Sequence, residues 1–329
     1  MRIAITGSTG LVGSEVVAVL SAAGHEVVRL VRRAPAPGEK AVLRWDPMKR
    51  EVDAAGLEDL DAVVHLAGEN IAAGRWNAAR KIAIRDSRVN GTRFLCDAFA
   101  GLSRPPKTLV FASAVGYYGD RGEERLTEET PPGTGFLAEV CREWEAASAP
   151  AARKGIRVVA LRIGMVLSPK GGALARMLPL FRAGLGGVIG GGRQYVSWVV
   201  LDDLPHIILH ALQRDDLSGP VNAVAPRPVT NREFTETLGT ALSRPTPLPV
   251  PAFALRLAVG GEMADALLLA SARVIPRRLE ETGYRFRFAE LSAALRHLLG
   301  KGVEGDIPGG NPGCREGVSS PCNKECPPP

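Results

Sequence analysis

The first half of the chain alternates short apolar runs with longer amphipathic stretches. Residues 2–6, 26–31, 62–66, 108–113 and 156–162 are rich in Val, Ile and Leu and are bounded by glycine or polar residues. Between them, residues 11–23, 77–100 and 137–153 repeat apolar positions at helical spacing. Strands that are apolar on consecutive positions are buried on both faces, as in a parallel sheet covered by helices on either side. Strand–helix alternation with right-handed crossovers gives an α/β class, a Rossmann-like doubly wound parallel sheet. Past Pro169 the texture changes. Gly171, Gly172, Gly184, Gly186, Gly187 and Gly190 to Gly192 make 170–196 read as a loop-rich insertion, followed by a strand at 197–201 and a helix at 204–212. Prolines cluster at Pro245, Pro247, Pro249 and Pro251, ahead of helical patterns at 262–272 and 288–299. The expected division is a main domain over 1–225, a smaller C-terminal substrate lobe over 226–300 packed on the open end of the sheet, and a disordered Pro/Gly/Cys tail over 301–329.

Composition narrows the class. Of 329 residues, 45% are hydrophobic and 23% charged, enough for a sizeable core and too apolar for general disorder. No apolar stretch reaches the ~18 residues of a membrane span, and the N-terminus opens directly into a strand pattern without a signal-peptide core. A cytoplasmic protein with no membrane partner is expected. The net charge is +6, but the basic residues are scattered and aromatics make up only 5%, so no basic stripe interleaved with stacking residues marks a nucleic-acid surface. The surplus suits a phosphorylated small ligand. Nothing fixes the oligomeric state. Cys96 and Cys141 fall in helical patterns and read as buried thiols. Cys314, Cys322 and Cys326 lack a fourth ligand, and His206 and His210 lack any partner at metal spacing, so no metal site is expected.

The strongest local signal is Thr6-Gly7-Ser8-Thr9-Gly10-Leu11-Val12-Gly13, between the first strand and the first helix. Glycines there allow a tight turn and let the backbone approach a pyrophosphate, while the helix start offers free N–H groups and the positive end of its dipole. Gly13 permits close helix–strand packing. At the end of the second strand, where an acid would bond a ribose 2′-hydroxyl, the chain reads Val31-Arg32-Arg33, with no acid before Glu39. A guanidinium pairs with a 2′-phosphate; a carboxylate repels it. NADP(H) is therefore expected over NAD(H).

These motifs, together with His65-Leu66-Ala67-Gly68, Val89-Asn90-Gly91-Thr92, Ser113 to Gly119 (SAVGYYG), Leu161 to Leu167 (LRIGMVL) and Val199 to Leu204 (VVLDDL), resemble the extended short-chain dehydrogenase/reductases. Gly68-Glu69-Asn70-Ile71, Arg75-Trp76-Asn77, Cys141 to Glu145 (CREWE) and Thr282 to Phe286 (TGYRF) are similar to an atypical branch, the NAD-dependent epimerase/dehydratase family proteins with a C-terminal domain of unknown function. The resemblance spans about residues 1–300. It implies a cofactor lying across the carboxyl edge of the sheet. The pyrophosphate would lie on Gly7, Thr9, Gly10, Leu11, Val12 and Gly13, and the 2′-phosphate on Val31 and Arg32. Leu66, Ala67 and Gly68 would line the adenosine side, Arg88 would reach a phosphate, and Val166 would hold the nicotinamide carboxamide through its backbone. Ser113, Arg162 and Gly164 complete the implied lining.

The superfamily's hydride chemistry uses a tyrosine and a lysine at i, i+4 on one helix, with a serine to orient substrate. None of the four tyrosines here is followed by lysine four residues on, and the helix where the pair belongs has no lysine before Lys154. The serine position falls on Ala114. Substitute catalytic candidates are Tyr118 and Tyr117 as proton donors and Glu69 as a base, with Asn70 and Trp198 facing the substrate. Two readings compete. One is an NADP(H)-dependent oxidoreductase or nucleotide-sugar epimerase-like enzyme acting on a small molecule; the other is a non-catalytic NADP(H)-binding redox sensor or scaffold. The cleft-forming second lobe and the Glu69-Asn70 and Tyr117-Tyr118 pairs at strand ends favour the enzyme.

Overall fold

In the computed structural model, residues 1–301 apart from Pro37 and Lys40 are described. Cys314, Cys322 and Cys326 lie outside the described residues. In chain order the first domain holds β1 (Arg2–Thr6), α1 (Leu11–Ala22), β2 (Glu26–Val31), β3 (Val42–Asp46), β4 (Glu51–Val52), β5 (Ala62–His65), α2 (Ala78–Ala100), β6 (Thr108–Ala114), β7 (Arg125–Leu126), α3 (Phe136–Ala146), α4 (Ala149–Arg153) and β8 (Arg157–Ile163). There follow β9 (Met165–Leu167), α5 (Gly172–Arg182), β10 (Tyr195–Val196), β11 (Trp198–Val200), α6 (Leu204–Gln213) and β12 (Gly219–Ala223). The chain closes with β13 (Val229–Thr230), α7 (Asn231–Leu242), α8 (Ala252–Val259), α9 (Gly261–Ala264), β14 (Arg273–Val274), α10 (Arg277–Glu281) and α11 (Leu291–Leu298). No helix among the described residues is long and apolar enough to cross a membrane.

Eight strands form one sheet in the order β12-β8-β6-β5-β1-β2-β3-β4, all parallel except β4, which runs antiparallel to β3. This is the doubly wound arrangement, with its topological switch between β1 and β5. Alternation along each strand feeds two cores. Ile3 and Ile5 join Val64, Val110 and Leu161 under α1 and α6, while Ala4 joins Val63, Leu109 and Phe111 under α2, α3 and α4. Register decides what meets at the carboxyl edge. Thr6 ends level with Leu30 and His65, and Arg162 lies between Ser113 on β6 and Asn222 on β12.

The differences from the sequence expectations have local causes. The single helix expected over 137–153 is two, because Pro150 lacks the N–H and would collide with the carbonyl four residues back. The insertion at 170–196 contains α5, which buries Leu174, Leu178 and Phe181 despite Pro179 in its interior. The pattern at 262–272 is α-helical only to Ala264, then widens into a π turn at Asp265–Leu269. The second lobe is built from more than 226–300. Its core joins Leu174, Leu178, Phe181, Trp198 and Val200 to Phe234, Leu238, Phe288, Leu291 and Leu295, so it is discontinuous in sequence.

Candidate functional site

At the carboxyl end of β1 the chain turns through Gly7 at φ +69°, and Gly10 N–H closes the turn onto Gly7 O at 2.9 Å. Helix α1 then starts with no side-chain cap and no acidic residue in its first turn. Its leading amides are left for an external acceptor, beside the positive end of the helix dipole. A side chain at Gly7 would strike the carbonyl carbon of Leu66 at 2.9 Å, and one at Gly13 would reach the carbonyl carbon of Gly7 at 2.8 Å. The loop is thus wedged between α1 and the end of β5. From the other side the segment after β9 arches back: Gly171 sits 3.3 Å (as an added Cβ) from Leu11, and Lys170 pairs with Glu15 at 2.8 Å. Val166 is therefore carried to the same edge as Gly7 to Gly13.

At the end of β2, Arg33 is engaged by Glu39 through two contacts of 2.6 and 2.8 Å, which pull the Glu39 carboxyl down to about 2. Arg32 is exposed and makes no hydrogen bond or ion pair among the described residues. Of the two adjacent arginines, one is neutralised and one is open to a ligand anion.

Behind the loop runs a buried relay. Thr6 Oγ1 accepts from the amides of Leu66 (3.1 Å) and Ala67 (3.2 Å), so its own proton goes to His65 Nδ1 at 2.7 Å. His65 Nε2 then donates to Thr92 Oγ1 at 3.1 Å, which also accepts from Trp144 Nε1 at 2.8 Å. The tautomer follows from this pattern. Complete burial holds the imidazole neutral, with its pKa down at about 4. Arg88 lies across the Trp144 ring at 5.2 Å and against Gly68, donating to Ile84 O at 3.1 Å. It has no carboxylate within ion-pair distance among the described residues, and burial lowers its pKa. A half-buried guanidinium without a counter-ion is costly to hold there, and a ligand anion would relieve that cost.

The expected catalytic residues fall elsewhere. Tyr118 has no exposed surface; its hydroxyl accepts from Arg162 (3.0 Å) and lies 2.7 Å from Asn222 Oδ1 and 3.0 Å from Thr127 O. Burial raises the phenol to about 12. Its proton is committed to the protein, so the proton-donor expectation is corrected: Tyr118 is a structural pin. Tyr117 is half-buried with the Arg162 guanidinium 3.5 Å above its ring. Arg162 and Ser113 spend their polar groups on the protein itself. Arg162 forms a two-pronged pair with Glu145 (2.8 and 2.9 Å), and Ser113 Oγ donates to the same carboxylate at 2.7 Å. Gly164 leaves its space to Ser197 O and Val224, not to a ligand. Glu69 is exposed and paired with Arg80 at 3.0 Å, and Asn70 Oδ1 caps its own turn at Ala72 N–H. Trp198 is fully buried in the second core, its indole N–H on Arg227 O at 3.1 Å, which removes it from the substrate. Gly7 to Gly13, Leu66 to Gly68, Arg88 and Val166 do converge on one edge.

A family model described as the NAD dependent epimerase/dehydratase family matches residues 3–224. The chain belongs to that family. A second model, a domain of unknown function (DUF1731), matches residues 250–298. The epimerase family protein Mb2239 of Mycobacterium bovis is 49% identical over 293 residues, covering 89% of this chain and 96% of its own. The crystal structure of human epimerase family protein SDR39U1 with NADPH has a TM-score of 0.82 at 37% identity, covering 91% of this chain and 99% of that one. A nucleoside-diphosphate sugar epimerase from Corynebacterium glutamicum gives 0.73 at 42% identity, over 91% of this chain and 58% of that one.

Within that family fold, the face of α3 towards the strand edge carries Leu137 and Cys141 at i, i+4, both against Gly116. Neither serves as a tyrosine–lysine pair; burial pushes the Cys141 thiol up to about 12. Sequence reasoning placed Thr6, Thr92, Trp144 and Glu145 in motifs without giving them a role, and it missed Asn222. The available signal was Arg162 itself, a charge inside the apolar strand Arg157–Ile163, which must find a buried partner. Tyr118→Phe is expected to lower folding stability by about 1–3 kcal/mol, because Asn222 and Arg162 lose a buried partner. Urea denaturation measures this. Unchanged stability together with lost turnover would restore Tyr118 as an acid.

Proposed function

We propose that this protein is an NADP(H)-dependent oxidoreductase or epimerase-like enzyme of the cytoplasm, acting on a small, sugar-like molecule. The observation that carries the cofactor is the pairing of a wedged glycine loop at an uncapped helix start with an open Arg32 beside a neutralised Arg33. The human relative crystallised with NADPH supports the same reading, and the C. glutamicum protein named as a nucleoside-diphosphate sugar epimerase supports the substrate class. The amides of residues 11–13 would take the pyrophosphate, Arg32 the 2′-phosphate, and Leu66 to Gly68 the adenosine side. Val166 would meet the carboxamide.

The cofactor would supply hydride exchange. This chain's contribution is binding and fixed positive charge. Arg88, which stays protonated, would hold an electron-rich oxygen of cofactor or substrate without shuttling a proton. Tyr117 and Glu69 are the remaining groups for proton transfer at the rim.

Fluorescence titration tests the cofactor. Wild-type protein is expected to bind NADPH more tightly than NADH. Arg32→Ala should weaken NADPH roughly tenfold or more, the range for a lost charge-assisted bond, and leave NADH nearly unchanged. Tighter NADH than NADPH binding to the wild type would overturn the assignment.

A further inference from the structure

The two lobes are joined very differently on their two sides. On one side the junction is buried and specific. Asn222 Nδ2 donates to Ile275 O at 3.0 Å, Glu128 Oε1 accepts from the amides of Asn222 (3.0 Å) and Arg278 (3.3 Å), and Ser197 Oγ accepts from Val274 N–H at 2.9 Å. Tyr118, Leu126, Val224 and Val274 pack there without exposure. On the other side, residues 251–270 form an arm rooted at both ends and clasped at its tip by charge. One root is Val250, bonded to Val188 and Gly190 at 2.8 and 2.9 Å; the other is Ser271, bonded to Asp120 and Arg121 at 3.1 and 2.8 Å.

Between these roots, α8 buries no residue at all and leaves Phe253 and Leu257 widely exposed one turn apart. Helix α9 tucks Met263 and Ala264 inward, so the arm has a defined seat. The tip meets the first domain at the strap that continues from Gly68. Arg75 donates to Leu257 O and Ala258 O in the last turn of α8, and Lys81 pairs with Glu262 at 2.7 Å. Both partners of that pair are substantially exposed, so it is weak and screened by salt. The strap itself is pinned by Arg176 on Ala72 O at 2.9 Å and by Glu69 N–H on Ser87 Oγ at 3.1 Å. Pro245, Pro247 and Pro249 precede the arm and Pro251 opens it, Gly260 bends it at φ +99°, and a π turn ends it. Such breaks are where a backbone absorbs a hinge motion.

We infer that residues 251–270, the leading part of the segment of unknown function, are a lid over the carboxyl edge, latched to the strap by Arg75 and to the first turn of α2 by the Lys81–Glu262 pair. The inference rests on the cofactor reading above. With the latch open, cofactor and substrate reach Gly68 and Arg88; with it shut, the strap and arm close the edge from the second-lobe side. Tyr118 and its neighbours form the fixed side about which the lid works.

Hydrogen exchange on the full chain, with and without NADPH, tests this, together with stopped-flow release of NADPH. Raising NaCl without cofactor should speed exchange across 252–264, and NADPH should slow it. Glu262→Gln and Arg75→Ala should each release NADPH about two- to fivefold faster, the span supported by an exposed contact. Arg227→Ala, which breaks an exposed pair with Glu290 elsewhere in the second lobe, should leave release unchanged. Protection of residues 7–13 by NADPH with no change across 252–264 would overturn the lid and leave the cofactor site standing. Absence of NADPH binding would overturn both.

Discussion

Replacing Glu145 with alanine is expected to cost about 3–5 kcal/mol of folding stability, the range for removing one member of a buried ion pair. The Arg162 side chain is 3% exposed and that of Glu145 17%, so the guanidinium left behind has little water to turn to. Two of its bonds, to Tyr118 and to Glu128 O, would remain, but neither carries a compensating charge. Ser113 would lose its acceptor as well. Because β6, β8 and β12 hold Ser113, Arg162 and Asn222 side by side, the damage spreads across three strands. Urea denaturation reads the loss. The double replacement of Glu145 and Arg162 by methionine should recover much of it, since a hydrophobic pair avoids the desolvation penalty. A Glu145→Ala protein within about 1 kcal/mol of wild type would mean that the pair is not what joins these strands.

The second large effect is on the cofactor. Gly13→Ala is expected to abolish NADPH binding at concentrations that saturate the wild type, while the fold persists. The new methyl would sit well inside van der Waals contact of Gly7 O and 2.8 Å from Gly7 C. The loop has nowhere to retreat. Gly7 already backs onto the carbonyl carbon of Leu66, and its own carbonyl is held by Gly10 N–H. Relief therefore needs α1 to slide or the Gly7 turn to open, and either moves the amides out of register with a pyrophosphate. Overpacking of this kind costs about 1–3 kcal/mol, small against the stability of a domain but decisive for a loop that binds through aligned dipoles. Fluorescence titration and far-UV circular dichroism separate the outcomes. Near-normal binding by a folded Gly13→Ala protein would show that the pyrophosphate lies elsewhere.

The glycine loop was legible because its signal is local: three glycines at fixed offsets, with a strand before and a helix after. The same holds for the sheet, whose buried strands announce themselves by composition. What escaped was set by pairing across the chain. Glu145 and Arg162 are seventeen positions apart in sequence, and only the register of β6, β8 and β12 brings them to Ser113 and Asn222. Tyr118 was expected in the cleft because it follows a strand. A tight 3-10 turn at Val115–Tyr118 instead swings it inward, which spacing alone does not reveal. Helix α5 was hidden by Gly171, Gly172 and Pro179. Helix α7 was missed although Thr230 and Glu233 spell a capping box, with both reciprocal bonds present. The β3–β4 hairpin, turning through Arg50 at φ +52°, lacked a glycine to mark it.

Because α5 and β11 come from the middle of the chain yet fill the core beneath α7 and α11, the polypeptide is threaded through the second lobe twice. No single cut yields two self-sufficient pieces. A fragment ending near residue 225 would carry Phe181 and Trp198 stripped of their covering, and the remainder would lack the residues that complete its interior. Any dissection of what each half contributes has to proceed by substitution within the intact molecule.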